Sequence, residues 1–441
     1  MAESSSSSSN SNNGSSPITR IPQDHLFSIL LLLPIESILC FAMTCKKLKS
    51  LAYSDSLWES ICRRDWGQPP VDALKVSNHP WKKLYQQVYQ LDSVFCHRLL
   101  AEIPDGDEML PSPRASHSLN LVSGCLVLFG GDVREHNFKC SSGCTGCNNL
   151  RNFLRLVSSG RHLDDTWVAY IGNDLRRTLK WKKTNSGIPS GRFGHCCVVI
   201  GDSLVLFGGI NDHGVRKNDT WIGQVTIHGR RGITLSWWLL DVGSIAPPPR
   251  GAHAGCCIDN KRMLIHGGIG PSGVRLGDTW VLDLSNDLSV GTWKEIVTQP
   301  RHWRWGQLLF ELRSIPQGFS LPRVGHSANL IIGRRLLIYG GEDSNRHRKD
   351  DFWVLDISSI TSVAMEPRNL HRNRGFRKMW RRLEAKGEKP NCRSFHGACV
   401  DDSGRYLYVY GGMVDGLVQP ADPSGLRFDG ESFVLELVLQ S

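Results

Sequence analysis

The residues of this chain best equipped for chemistry are its histidines and cysteines. Five times an Arg stands three positions before a His: Arg114 and His117, Arg192 and His195, Arg250 and His253, Arg323 and His326, Arg393 and His396. An imidazole can serve as a general base or bind a metal near neutral pH. A catalytic centre, however, needs such a group once and in an asymmetric setting. Equivalent copies therefore read as a structural part, repeated wherever the fold repeats. The Arg of each copy reads as a donor to backbone carbonyls or to a carboxylate. The Asp that recurs at Asp165, Asp219 and Asp278 is either that carboxylate or a turn former.

A second constellation lies between Asp132 and Arg161, where His136, Cys140, Cys144 and Cys147 fall within twelve residues. Four such side chains could hold zinc. The cysteine spacing also matches the iron–sulfur motif of the radical-SAM family, which expects a parallel α/β barrel around it that this sequence does not suggest. With no export signal evident, the fourteen Cys are expected to be reduced. The three thiols then read as free groups of a loop, and no metal or cofactor is expected.

Each Arg-x-x-His leads into an apolar run ending in a glycine pair: Gly130-Gly131, Gly208-Gly209, Gly267-Gly268, Gly340-Gly341 and Gly411-Gly412. Then comes Asp165-Thr166-Trp167, Asp219-Thr220-Trp221, Asp278-Thr279-Trp280, Asp351-Phe352-Trp353 or, weakest, Glu431-Ser432-Phe433. A further Trp often follows, at Trp181, Trp237 or Trp238, Trp293 and Trp380. The apolar runs read as short buried strands. The glycines allow positive φ or close backbone approach at the strand end, and the Trp strands fill the space between sheets. Units of four strands set radially make a β-propeller. The pattern resembles kelch repeats, whose period is about 50 residues. Successive His residues lie between 58 and 78 residues apart, so every unit carries an insertion. Five blades are counted, with a sixth if Leu284 to Pro322 holds a degenerate unit. The last unit lacks a strand, which Ser93 to Leu99 could supply, removing an exposed edge.

Ahead of the repeats, residues 1–16 read as a disordered Ser/Asn-rich tail. Residues 17–66 read as short helices. Asp24 caps one carrying Leu26, Phe27, Ile29, Leu30 and Leu33, stopped by Pro34; a second carries Ile35, Ile38, Leu39, Ala42 and Met43. Asp55 caps a third with Leu57, Trp58, Ile61 and Cys62. Gly67 to Ala73 reads as a break, followed by an amphipathic helix with Trp81, Leu84, Tyr85, Val88 and Leu91. Residues 67–92 thus form a helical connector to a propeller spanning 93–441. The fold class is α+β multidomain, a small all-α module followed by an all-β propeller. The longest apolar run, Ile29 to Ile35, contains a Pro and is too short to span a bilayer. No membrane association is expected, and the location is nucleus, cytoplasm or both. The net charge of +10 concentrates between His371 and Lys389, which reads as a solvated insertion.

The order Ile21-Pro22-x-x-x-Leu26-x-x-Ile29-Leu30-x-x-Leu33-Pro34, then Cys45-Lys46, then Leu57-Trp58 resembles the F-box motif over roughly 45 residues. Ile21 replaces the usual Leu, and Leu48 stands where an aromatic is common. The resemblance implies docking on a Skp-type adaptor and, through it, a cullin-based ubiquitin ligase, by apolar side chains of a helix set in a groove. It carries the contact role onto Ile21, Pro22, Leu26, Ile29, Leu30 and Pro34. An F-box followed by kelch repeats resembles plant F-box/kelch proteins, including relatives with an added light-sensing domain; Pro113 to Val122 looks close to those. The function implied is a non-catalytic substrate receptor of an SCF-type ligase, whose propeller captures a target protein and raises its effective concentration. Two other classes compete. One is a metal-dependent kelch enzyme, for which the Tyr/Cys/His copper set is not found. The other is a basic nucleic-acid scaffold, for which base-reading motifs are not found.

Overall fold

The computed structural model of the chain describes residues 17–75, 79–102, 110–133, 161–171, 178–185, 187–228, 233–296, 323–357, 380–415 and 426–439. The chain falls into two compact units, divided between Gln90 and Leu91. The Ser/Asn-rich start lies outside the described residues.

The first unit is helical: α1 (Gln23–Leu32), α2 (Ile35–Ala42), α3 (Lys46–Ala52), α4 (Asp55–Trp66), α5 (Gln68–Leu74) and α6 (Trp81–Tyr89). Helices this short gain most of their stability from packing, and here α1, α5 and α6 pack on α4 while α3 packs on α1 and α2. Leu57, Trp58, Ile61 and Cys62 of α4 are buried with Leu26, Leu30, Ile38 and Leu48. The Trp58 indole donates to the Ala52 carbonyl at 2.9 Å. Tyr85 of α6 meets Trp58 edge-on and stacks on Trp66, with centroids 5.4 Å away in each case. Its hydroxyl donates to Asp65 at 2.9 Å.

Local expectations fail at three points. Neither Asp24 nor Asp55 caps its helix, because Pro22 and Ser54 hold the N-cap positions. Asp55 instead accepts the Trp81 backbone N–H at 2.6 Å and fixes the start of α6. Gly67 to Ala73 is no break. Pro69 and Pro70 sit in the first turn of α5, where their missing N–H groups are not needed.

The second unit begins with β1 (Ser93–Ala101). The first blade contributes β2 (Ser118–Val122), β3 (Cys125–Phe129), β4 (Asp132–Val133), β5 (Arg161–His162), β6 (Thr166–Tyr170), β7 (Thr178–Leu179) and β8 (Trp181–Asn185), and its sheet runs β2-β3-β6-β8. The second blade is β9 (Cys196–Ile200), β10 (Ser203–Phe207), β11 (Thr220–Ile227) and β12 (Ile233–Leu239). The third is β13 (Ala254–Asp259), β14 (Arg262–His266), β15 (Thr279–Leu284) and β16 (Gly291–Glu295). The fourth is β17 (Val324–Ile331), β18 (Arg335–Glu342), β19 (Phe352–Asp356) and β20 (Trp380–Gly387). The fifth joins β21 (Arg393–Ser394), β22 (Gly397–Val400), β23 (Tyr406–Val414) and β24 (Arg427–Leu437) to β1. The strand from before the first repeat thus completes the last one, with Val94 opposite Leu437 and Leu99 opposite Ser432. β1 also runs parallel to β20 and, through Leu100 and Ala101, to β7.

Five blades of a β-propeller are present among the described residues. Leu284 and Gly291 to Glu295 belong to the third blade, and residues 297–322 lie outside the described residues.

Apolar faces bury one blade on the next. Val205 and Phe207 of the second blade pack with Met263, Ile265, Leu282 and Trp293 of the third. The glycine pairs are where close approach is needed. Gly208 has φ +66°, and a Cβ there would lie 2.7 Å from the Arg250 carbonyl oxygen. Gly208→Ala should therefore lose at least about 1–2 kcal/mol from the left-handed backbone alone. Urea unfolding followed by Trp fluorescence checks this, and an unchanged midpoint would refute it.

Candidate functional site

The repeated residues form one device per blade. In the second blade, Arg192 Nη1 donates to the Gly208 carbonyl at 3.0 Å and to Asp219 Oδ1 at 2.7 Å. Its Nη2 reaches Asp219 Oδ2 at 2.9 Å and its Nε the Ser190 carbonyl at 2.9 Å. Arg114 with Gly130 and Asp165, Arg250 with Gly267 and Asp278, and Arg323 with Gly340 and Asp351 repeat the arrangement. The same aspartates accept the indole N–H of Trp167, Trp221, Trp280 and Trp353. One guanidinium thus ties the Arg-x-x-His turn, the glycine pair and the Asp-Thr-Trp strand together. It also holds Asp278 ionised, with its pKa pulled down to about 2 by Arg250.

The fifth copy differs. Arg393 reaches Asp429 at 3.0 Å and Glu431 only at 3.8 Å. Glu431 pairs with Arg98 of β1 at 2.7 Å. The strand register still sets Ser432 opposite Tyr410, as Thr220 stands opposite Phe207.

The histidines link neighbouring blades. His195 Nε2 meets Ser118 Oγ at 3.0 Å, His396 Nε2 meets Ser327 Oγ at 2.9 Å, and His117 Nε2 accepts the Gly397 N–H at 3.2 Å. Four of the five rings also lie against an aromatic of the preceding blade: Phe129 on His195, Phe207 on His253, Tyr339 on His396 and Tyr410 on His117. Burial, with the neighbouring Arg, pushes His195, His253 and His396 down to about 3. Imidazoles so enclosed and so weakly basic are poorly matched to proton transfer near neutral pH. The His136, Cys140, Cys144 and Cys147 constellation lies outside the described residues. Among the described residues, no cluster of three or more His, Cys, Asp or Glu is placed to hold a metal ion.

The helical unit carries a binding surface of another kind. Ile29 (46% exposed), Leu32 (86%), Leu39 (38%) and Met43 (85%) leave apolar side chains in solvent. Pro22 and Pro34 are exposed and Ile21 is half-buried. Leu26 and Leu30 are 2% and 1% exposed, so they belong to the core and cannot present a contact surface. Leu32, Leu39 and Met43 were missed. The signal was present in α2, where Ile38 and Ala42 form an inward stripe and Leu39 and Met43 a parallel outward one. Arg64 Nη1 donates to the Leu31 and Leu33 carbonyls at 2.8 and 2.9 Å, capping α1 and fixing the turn into Pro34.

Residues 371–379 of the basic segment lie outside the described residues. Within its described part, Arg381 donates to the Leu91 carbonyl at 2.7 Å, and Lys389 pairs with Asp350 at 2.7 Å.

A helical module with an outward apolar stripe and a propeller built on an Arg–Asp–Trp repeat define an F-box joined to kelch repeats. An F-box-like family model matches residues 18–64, and a KLHDC2/KLHL20/DRC7 Kelch-repeats domain model matches residues 82–304. The F-box/kelch-repeat protein At1g51550 of Arabidopsis thaliana is 50% identical over 96% of this chain and 93% of its own length. Adagio protein 3 of Arabidopsis thaliana is 27% identical over 86% of this chain, and Adagio-like protein 1 of Oryza sativa subsp. japonica 28% over 88%. The chain spans about half the length of these two, 50% and 53%. The chain belongs to the F-box/kelch-repeat family.

Proposed function

We propose that this protein is the substrate receptor of an SCF-type ubiquitin ligase, a non-catalytic subunit. The observation that carries the reading is the exposed apolar set of α1 and α2, displayed by a module that matches the F-box. Ile29, Leu32, Leu39 and Met43, with Pro22 and Pro34, dock a Skp-type adaptor and through it a cullin. Burying such side chains in an apolar groove is favourable by about 1.5–3 kcal/mol each when complete. The propeller holds a target protein near the ubiquitin-conjugating enzyme, and proximity does the rest. The complex works in the nucleus, the cytoplasm or both.

The test is co-purification of a Skp-type adaptor with the full chain and with a variant carrying Ile29→Asp, Leu32→Asp and Met43→Asp. Capture by the intact chain and at least a tenfold loss in the variant, with unchanged circular dichroism, is the expected result. Equal capture by both, or no capture by a folded intact chain, would remove the reading.

A further inference from the structure

The contacts that join the blades repeat with one interruption. A backbone chain links the Arg-x-x-His turns: Ala252 N–H to Gly194 O at 2.7 Å, Gly194 to Ser116 at 3.0 Å, Ser116 to Phe395 at 2.9 Å, and Phe395 to Gly325 at 2.7 Å. Among the described residues no bond joins Gly325 N–H to Ala252 O. The glycine pairs report the same break. Gly130, Gly208, Gly340 and Gly411 each lie against the Arg carbonyl and the His of the next blade, whereas Gly267 meets only Leu276 of its own blade.

The sequence itself differs at this junction. Where the other blades place Phe129, Phe207, Tyr339 or Tyr410, the third places His266, exposed and bonded to Thr279 Oγ1 at 2.9 Å. Among the described residues, His326 has no aromatic partner. Among the described residues, nothing therefore covers the apolar face of the fourth blade. Leu330 is 59% exposed, and Leu336, Ile338, Trp353 and Leu355 are only half-buried. A blade face of this kind is buried at the other junctions.

We propose that this open junction is where the target docks, and that the docking element is an extended strand pair of the target protein, apolar on one face and bearing a Phe or Tyr. The chemistry follows from continuity with the junctions already closed. The occupant must set an aromatic ring against His326 and apolar side chains against Leu330, Leu336 and Ile338. It must also offer a carbonyl to Gly325 N–H and an N–H to Ala252 O. This recognition is β-structure added to β-structure, in which main-chain bonds give affinity and side-chain pockets give selectivity. It deepens the receptor reading and rests on it.

The probe is a cyclised, fluorescein-labelled hairpin with the sequence Val198 to Phe207, which carries the face that the second blade offers the third. Titrated into the full chain and followed by anisotropy, it should bind saturably. Leu330→Asp and Ile338→Asp in the chain, and Phe207→Ala in the peptide, should each weaken binding at least tenfold. Near-ultraviolet circular dichroism and the urea midpoint of the two chain variants should stay close to those of the intact chain, which shows that the propeller still folds, and their adaptor capture should stay unchanged. No saturable binding, or equal binding to the variants, overturns the proposal. So does binding that appears only after residues 297–322 are excised, because the chain would then supply its own occupant. Peptide binding without adaptor capture would overturn the receptor reading alone.

Discussion

Between pH 7 and pH 5 the propeller should lose about 2 kcal/mol of stability for each deeply buried imidazole. His195, His253 and His396 are held at about 3 in the folded chain, against an ordinary 6.5. The unfolded chain takes up protons as pH falls below 6.5, and the folded chain refuses them. Stability is therefore complete above 6.5 and falls as pH drops towards 3, by about 1.4 kcal/mol per pH unit and per group. His117, also held well below its ordinary value by burial and Arg114, acts in the same direction. The carboxylate of Asp278, pulled down to about 2, loses its contribution only below its ordinary 3.8, so the two effects separate on the pH axis. Urea titrations at pH 7 and pH 5 measure the difference. A change of less than about 1 kcal/mol in total would contradict the burial of these rings. His195→Gln, which can still bond to Ser118, should remove roughly its own share of the slope.

Arg192→Met should destabilise the propeller by about 3–5 kcal/mol, because it leaves Asp219 ionised and without its partner. The Arg192 side chain is fully buried and makes bonds to Gly208, Asp219 and Ser190. Arg192→Lys should recover little of the loss, since one ammonium cannot span both Asp219 oxygens and two backbone carbonyls. Arg262→Met is the contrast. Its pair with Asp259 is half exposed on both sides, and its loss should leave the urea midpoint essentially unchanged. The same unfolding experiment ranks all three, and an Arg192→Met loss below about 1 kcal/mol would show that the repeat Arg is dispensable.

What the sequence made legible was whatever repeats. Arg192, Gly208 and Asp219 recur with counterparts in other blades, so their shared need could be inferred before any distance was known. The β1 closure was legible by subtraction, because the last unit lacked a strand and Ser93 to Leu99 preceded the first. Single-copy features were harder to read. Leu30 and Leu32 are both apolar and two residues apart, yet helical rotation sends one into the core and the other into solvent. Pro69 and Pro70 argue against a helix unless its first turn is known to begin there. The fifth copy misled because Glu431 aligned in sequence while Asp429, two residues earlier, reached Arg393 in space.

The antiparallel partner of β1, β24, is the last strand described in the chain, with Val94 opposite Leu437. At ribosomal rates of about 5–20 residues per second, β1 emerges tens of seconds before that partner exists. During that interval an apolar strand edge stays open, and the long sequence separation makes its pairing slow. Earlier blades can form in order as they emerge, but the fifth cannot. Emergence of β24 thus becomes a condition for completing the fifth blade. A stalled or truncated nascent chain lacking β24 would keep β1 uncovered on that side, where chaperones and proteases can detect it.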